Sequence, residues 1–315
     1  MKLQLIHTLH DSVEARWGER VLFRYVYEPH TDPLESPRPY LHPVHTLAGE
    51  LVTNFRPHDH PWHKGISLTS AHLSGQNFWG GATYVRDQGY TQLDNNGQTR
   101  HLAWDALQCD GERAQMSESL QWVTQAGEAW LDEQRQVGVS EVNPAEGYWV
   151  LAWSSRLTNR STHELRFGSP TTAGRPMAGY GGLFWRGPRS FTGGQIMAAG
   201  GQSGPDVMGR RAAWLAYTGA HDGSGAQSTL VFIDDPANPR YPTQWFVRND
   251  PYAGASFALA FDEVFPLAPG ATLALRYHIA VADGAWTSQR ISDFRLPTRE
   301  IHHRDTEDAE NQKRR

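Results

Sequence analysis

Apolar side chains in this chain fall in short runs, often alternating with polar ones, and Gly, Pro, Asn and Asp punctuate the runs. Residues 20–27 are rich in β-branched and aromatic side chains, which predicts a strand. Residues 148–157 read as a longer strand buried for most of its length. Residues 214–218 and 228–233 predict a hairpin, because the segment between them carries three glycines, an aspartate and a serine. Pro269-Gly270 precedes an alternating strand at residues 272–281. Helical periodicity is scarce. The best helix candidate is residues 287–294, with Thr287 as N-cap. Many short strands with regular turn chemistry predict an all-β sandwich or barrel.

Residues 299–315 are almost wholly polar and charged and cannot bury enough apolar surface to order themselves. A disordered tail is expected there, after one domain over residues 1–298, since nothing Gly/Ser-rich splits the chain. Net charge is −5 without long blocks of one sign, so no basic face for nucleic acid is expected. Cys109 is the only cysteine, which excludes an internal disulfide and fits a reducing compartment. No run approaches the roughly 18 apolar residues of a membrane helix. The N-terminal residues lack a signal-peptide pattern. A cytoplasmic protein without membrane contact is the expectation.

Candidate chemistry concentrates in Arg56-Pro57-His58-Asp59-His60-Pro61-Trp62-His63-Lys64-Gly65. Apart from Lys2 and Lys313 near the ends, Lys64 is the only lysine. Lysine shifts its pKa readily when buried, which arginine does not. Two prolines and a glycine constrain the backbone around the imidazoles. His58, His60 and His63 suit proton transfer near neutral pH or hydrogen bonding to hydroxyls. Their His-x-His-x-x-His spacing also offers three imidazoles to a metal, with Asp59 as fourth ligand or orienting group. A third reading is a polar turn whose histidines satisfy backbone groups. Lys64 either holds an anionic ligand group or pairs with Asp59 to fix the loop.

Several motifs together resemble a known family. They are residues 58–65, Asn77-Phe78-Trp79-Gly80, Gly179-Tyr180-Gly181-Gly182-Leu183-Phe184-Trp185-Arg186 and Trp245-Phe246-Val247-Arg248. This set resembles the family labelled methane oxygenase PmoA-like, a domain of unknown function. Residues 156–167 and 267–273 resemble strands of the wider galactose-mutarotase-like superfamily. The methane-oxygenase subunit of that label is an integral membrane protein, whereas this chain shows no spanning segment. The superfamily resemblance implies a β-supersandwich with a carbohydrate-binding face. It also exposes a departure. There is no histidine between His163 and His221 and no glutamate in residues 242–250, where mutarotases place their acid–base pair.

The fold expected is therefore an all-β, galactose-mutarotase-like supersandwich with few short helices. The function expected is binding of a small-molecule carbohydrate, an acidic or oxidised one among the candidates. His58, His60, His63 and Lys64 would carry isomerase, lyase or hydrolase chemistry. Asn77, Trp79, Arg175, Tyr180, Arg186 and Arg248 would bind the sugar. Two alternatives stand beside this: a non-catalytic sugar-binding or sensing module, and a metal-dependent oxidative enzyme. No cofactor is expected unless a metal sits at His58, His60 and His63.

Overall fold

The computed structural model describes residues 1–294; the tail expected at residues 299–315 lies outside them. Two large antiparallel sheets face each other. One has eight strands in the order Leu3–Thr8, Ser12–Trp17, Arg20–Val26, Tyr40–Val44, Ile66–Thr69, Gly182–Arg186, Gly254–Phe257 and Trp245–Arg248. The other has nine, centred on Thr272–Asp283, which lies between Gln227–Asp234 and Tyr148–Asn159. The all-β sandwich is thus observed.

Alternation decides which side chains enter the space between the sheets. Leu183, Trp185, Trp245, Val247, Ala255 and Phe257 point inward from the eight-stranded sheet and join one core cluster. They meet Phe232, Tyr217 and Tyr277 from the other sheet, with Phe257 and Tyr277 stacked at 4.0 Å. Phe184 and Phe246 point the other way and belong to separate small clusters on the outer face. That outer face carries the candidate site.

The predicted hairpin forms, with Trp214 opposite Ile233 and Ala220 opposite Gln227. The helix is Ser288–Asp293, and the Thr287 hydroxyl accepts from the Arg290 N–H at 3.2 Å. The segment after Asn159 behaves differently from a hairpin. Asn159 accepts from Ser161, closing a turn, but Leu165–Gly168 then leaves for a small three-stranded sheet with His72–Leu73 and Phe265–Leu267.

Candidate functional site

Two rows of side chains cross the outer face. In the first, Ser67, Phe184, Ser256 and Phe246 stand opposite one another on successive strands. In the second, Arg186 and Arg248 flank Gly254. Glycine leaves the space between the two arginines free of its own side chain, and the Tyr252 ring fills it. The Arg186 guanidinium lies 3.9 Å from that ring's centroid and Arg248 lies 5.9 Å from it. A guanidinium over an aromatic face gains cation–π attraction.

The histidine loop folds over this row. Its backbone closes on itself: His60 N–H donates to Pro57 O, His63 N–H to His60 O, and Arg56 N–H to His63 O. Buried Arg38 clamps the loop from below, donating to the carbonyls of Trp62, Trp79, Glu35 and Ser36 and to Ser67 Oγ. Trp62 lies over Gly80, where a Cβ would come within 2.5 Å of the Trp62 Cβ. With φ of +103° at Gly80, the turn needs glycine on both counts.

The three imidazoles take different roles. Arginine can only donate, so Arg186 Nη1, 2.9 Å from His63 Nδ1, fixes that nitrogen as an acceptor. Arg189 does the same to His58 at 2.8 Å. At His60 the geometry is reversed. Its Nδ1 lies 2.8 Å from the Asp59 carboxylate and must donate, which leaves the Nε2 lone pair free. His60 and His63 stack at 4.6 Å with 15° between their planes. Burial lowers the pKa of both, His63 well below the ordinary value, and the nearby Arg186 and Arg248 reinforce the effect. For His60 the Asp59 contact opposes the shift. Partial burial acts to raise the Asp59 pKa, but the His60 hydrogen bond, its own backbone and Arg186 outweigh it and bring it to about 2. The result is an ionised carboxylate orienting a neutral imidazole, the arrangement of a general base.

Lys64 does not share this environment. Its Nζ donates to Thr31 Oγ1 at 2.8 Å and lies 3.3 Å from Glu35, which is its ion-pair partner in place of the expected Asp59, with the side chain wholly enclosed. Asn77 is also structural in placement. Its Oδ1 accepts from the N–H groups of Trp79 and Gly80, and its Nδ2 donates to Gly81 O and Thr83 Oγ1. Trp79 and Tyr180 form an aromatic wall beside His63, with ring centroids 4.5 Å apart. Arg175 stands at the far end of that wall, over the Tyr90 ring and donating to the Tyr90 hydroxyl, which is bonded to Tyr180. So His58, His60, His63, Trp79, Tyr180, Arg186 and Arg248 come together, Arg175 borders them, and Lys64 and Asn77 support from behind.

The residues do not fit a three-histidine metal centre. Nδ1 of His58 and of His63 accepts from an arginine, so their protons sit on Nε2 and only His60 keeps a lone pair to offer, and among the described residues no group of three or more His, Cys, Asp or Glu is arranged around a common point.

A family of unknown function, DUF6807, matches residues 12–294. The chain belongs to this family. The PmoA-like label suggested by the motifs is not the description that this match carries. Among curated proteins, none matches by sequence. Among solved structures, the chain is similar to an α-galactosidase from Lactobacillus brevis at 12% identity and a TM-score of 0.41, covering 90% of this chain and 39% of the enzyme. It is also similar to the GH36 α-galactosidase AgaA from Geobacillus stearothermophilus in complex with stachyose, at 13% identity and a TM-score of 0.39, covering 90% and 40%. The DUF6807 chain thus spans well under half of these enzymes, and likeness at this level assigns them no shared chemistry.

Other residues of this DUF6807 site are not evident from the sequence motifs alone: Tyr252, Arg189 and Ser256. One signal points to part of the set. Phe184-x-Arg186 and Phe246-x-Arg248 each place an arginine two residues beyond an aromatic on one strand face. His221, in the connection of the hairpin, is buried, hydrogen-bonded to Ser228 Oγ at 2.7 Å and 3.6 Å from Glu50. Behind Tyr180 a separate apolar cleft of about 30 Å³, lined by Leu68, Trp122, Leu157 and Leu275, has room for water but not for a sugar.

Proposed function

We propose that this protein is a carbohydrate-active enzyme of the isomerase or lyase kind, working at the outer face of the eight-stranded sheet. The single observation that carries the reading is the Asp59–His60 pair, with a free Nε2 beside the Arg186–Tyr252–Arg248 row. His60 takes a proton from the sugar. Arg186 and Arg248 stabilise the negative charge that develops as it leaves. Tyr180, half-buried and backed by Trp79, supplies an apolar face against which a sugar ring packs. The resemblance to mutarotase-like proteins supports a sugar as the ligand. One base surrounded by cations suits an anionic intermediate. Glycoside hydrolysis ordinarily uses two carboxylates flanking the bond. Here Asp59 is already committed to His60.

The test is NMR in D2O with pooled sugars, uronates, keto-sugars and glycosides. Deuterium incorporation or an isomerised or eliminated product is the expected result. His60→Gln should lower its rate about 10²–10⁴-fold, the usual contribution of a positioned base. Undiminished turnover in a folded His60→Gln variant would remove the proposed base. Binding without product would make the protein a sugar-binding module instead.

A further inference from the structure

The charge around the site does not balance. Arg186, Arg189 and Arg248 converge on the face that holds His60 and His63, and Asp59 is the one carboxylate that pairs with any of them among the described residues. It faces Arg189 at 3.3 Å and Arg186 at 3.5 Å. The Arg248 side chain has no hydrogen-bond acceptor and no ion pair among the described residues; its guanidinium lies 5.3 Å from the Phe246 ring centroid and 5.9 Å from that of Tyr252. His60 and His63 are held towards their neutral forms by burial, so they do not add to the excess, but no second carboxylate offsets it.

Two buried polar atoms on the same face repeat the message. Arg186 is 1% exposed, and its Nε–H has no acceptor. Ser256 is equally buried, and its Oγ has no partner. They stand in adjacent rows on neighbouring strands, since Arg186 is opposite Gly254 and Phe184 is opposite Ser256. A buried donor left without an acceptor is costly, so the Arg186 Nε–H calls for a group the chain does not supply, a water or a ligand atom. The hydroxyl of Tyr252, whose ring lies between the arginines, also lacks a hydrogen-bond partner among the described residues.

We infer that the Arg186–Tyr252–Arg248 row is a carboxylate subsite, and that the ligand is a sugar acid, a uronate or aldonate, rather than a neutral sugar. The inference rests on the carbohydrate reading above and narrows it. Planar guanidinium forks match a carboxylate in two-point contact. The position has a chemical consequence as well. A carboxylate held between arginines acidifies the C–H beside it, and His60 is the base at hand. The electron pair left by that proton delocalises into the carboxylate, where the same arginines receive the charge.

The experiment compares matched pairs by calorimetry and saturation-transfer NMR: galacturonate against galactose, and glucuronate or gluconate against glucose. The proteins are the full chain, Arg248→Gln and Arg248→Lys. The inference expects each acid to bind at least about tenfold more tightly than its neutral partner, the scale of one charged hydrogen bond. Arg248→Gln should erase most of that preference, Arg248→Lys should retain part of it, and added salt should reduce it. Equal binding of acids and neutral sugars, or a preference that survives Arg248→Gln, overturns the carboxylate subsite and leaves the carbohydrate reading standing. No binding of any sugar overturns both. The Arg248 side chain makes no hydrogen bond among the described residues, so both variants are expected to fold, checked by circular dichroism.

Discussion

His63 and Lys64 are adjacent in sequence and pack against different neighbours. His63 packs among Trp79, Phe184 and Tyr252 on the site side. Lys64 is sealed against Thr31 and Glu35. Burial brings the Lys64 pKa down to about 7, with Arg38 adding to the fall and Glu35 opposing it. A value near neutrality invites a catalytic role, yet structural ion pairs also perturb pKa values. Geometry favours the structural role. Lys64→Met should cost about 1–3 kcal/mol, less than a fully orphaned pair, because Arg56 still grips Glu35 through three contacts. Urea denaturation measures that cost. Turnover and sugar binding at neutral pH should persist in the folded variant; their collapse would place the amine in the chemistry.

At the scale of elements, Gly254 matters most. A Cβ there would sit 3.1 Å from Tyr252 Cε2 and 3.3 Å from Phe184 Cε2, so the strand passes directly beneath two rings of the site. Gly254→Val overfills that space and should destabilise by about 1–3 kcal/mol, the usual range for forced packing. It should also tilt Tyr252 from between the arginines, visible as a changed near-ultraviolet signal and weaker sugar binding. Unchanged stability and binding would mean that the ring does not depend on the glycine. This dependence was illegible in the sequence, because it needs the register that sets Gly254 opposite both Arg186 and Arg248. The strands themselves were legible, since alternation and turn residues report local geometry. So was the loop of residues 56–65, whose prolines and histidines stand close in sequence. What pairs across distant segments was not. Lys64 finds Glu35, Arg189 finds His58 and Asp59, and Tyr252 finds Arg186 only through topology.

Across the whole molecule, burial holds many histidines below their ordinary pKa. His42 is brought down to about 4, with desolvation the main cause and His45 adding to it. His45, His60, His63, His72, His221 and His278 are lowered as well, each mainly by burial. These residues are spread over both large sheets, the small three-stranded sheet and the loops, so their protonation acts on the fold as a whole. Below pH about 6.5 the unfolded chain takes up protons that the folded chain refuses. Stability conferred by neutral histidines is present above that pH and is lost as pH falls towards the folded values. His42 alone accounts for on the order of 2–3 kcal/mol between pH 6.5 and about 4, after allowance for partial exposure. Asp59, with a folded pKa of about 2, contributes only to a later step below the ordinary aspartate range. Urea midpoints from pH 7.5 to 4 should therefore fall steadily from about pH 6.5, well before carboxylates titrate. The site should fail in the same direction, since His60 must be neutral to act as a base, although its lowered pKa extends its working range somewhat to the acid side. A midpoint that stayed flat to pH 4.5 would mean that the folded chain accepts these protons. The burial that keeps His60 and His63 neutral would then not be governing the chemistry of the face they occupy.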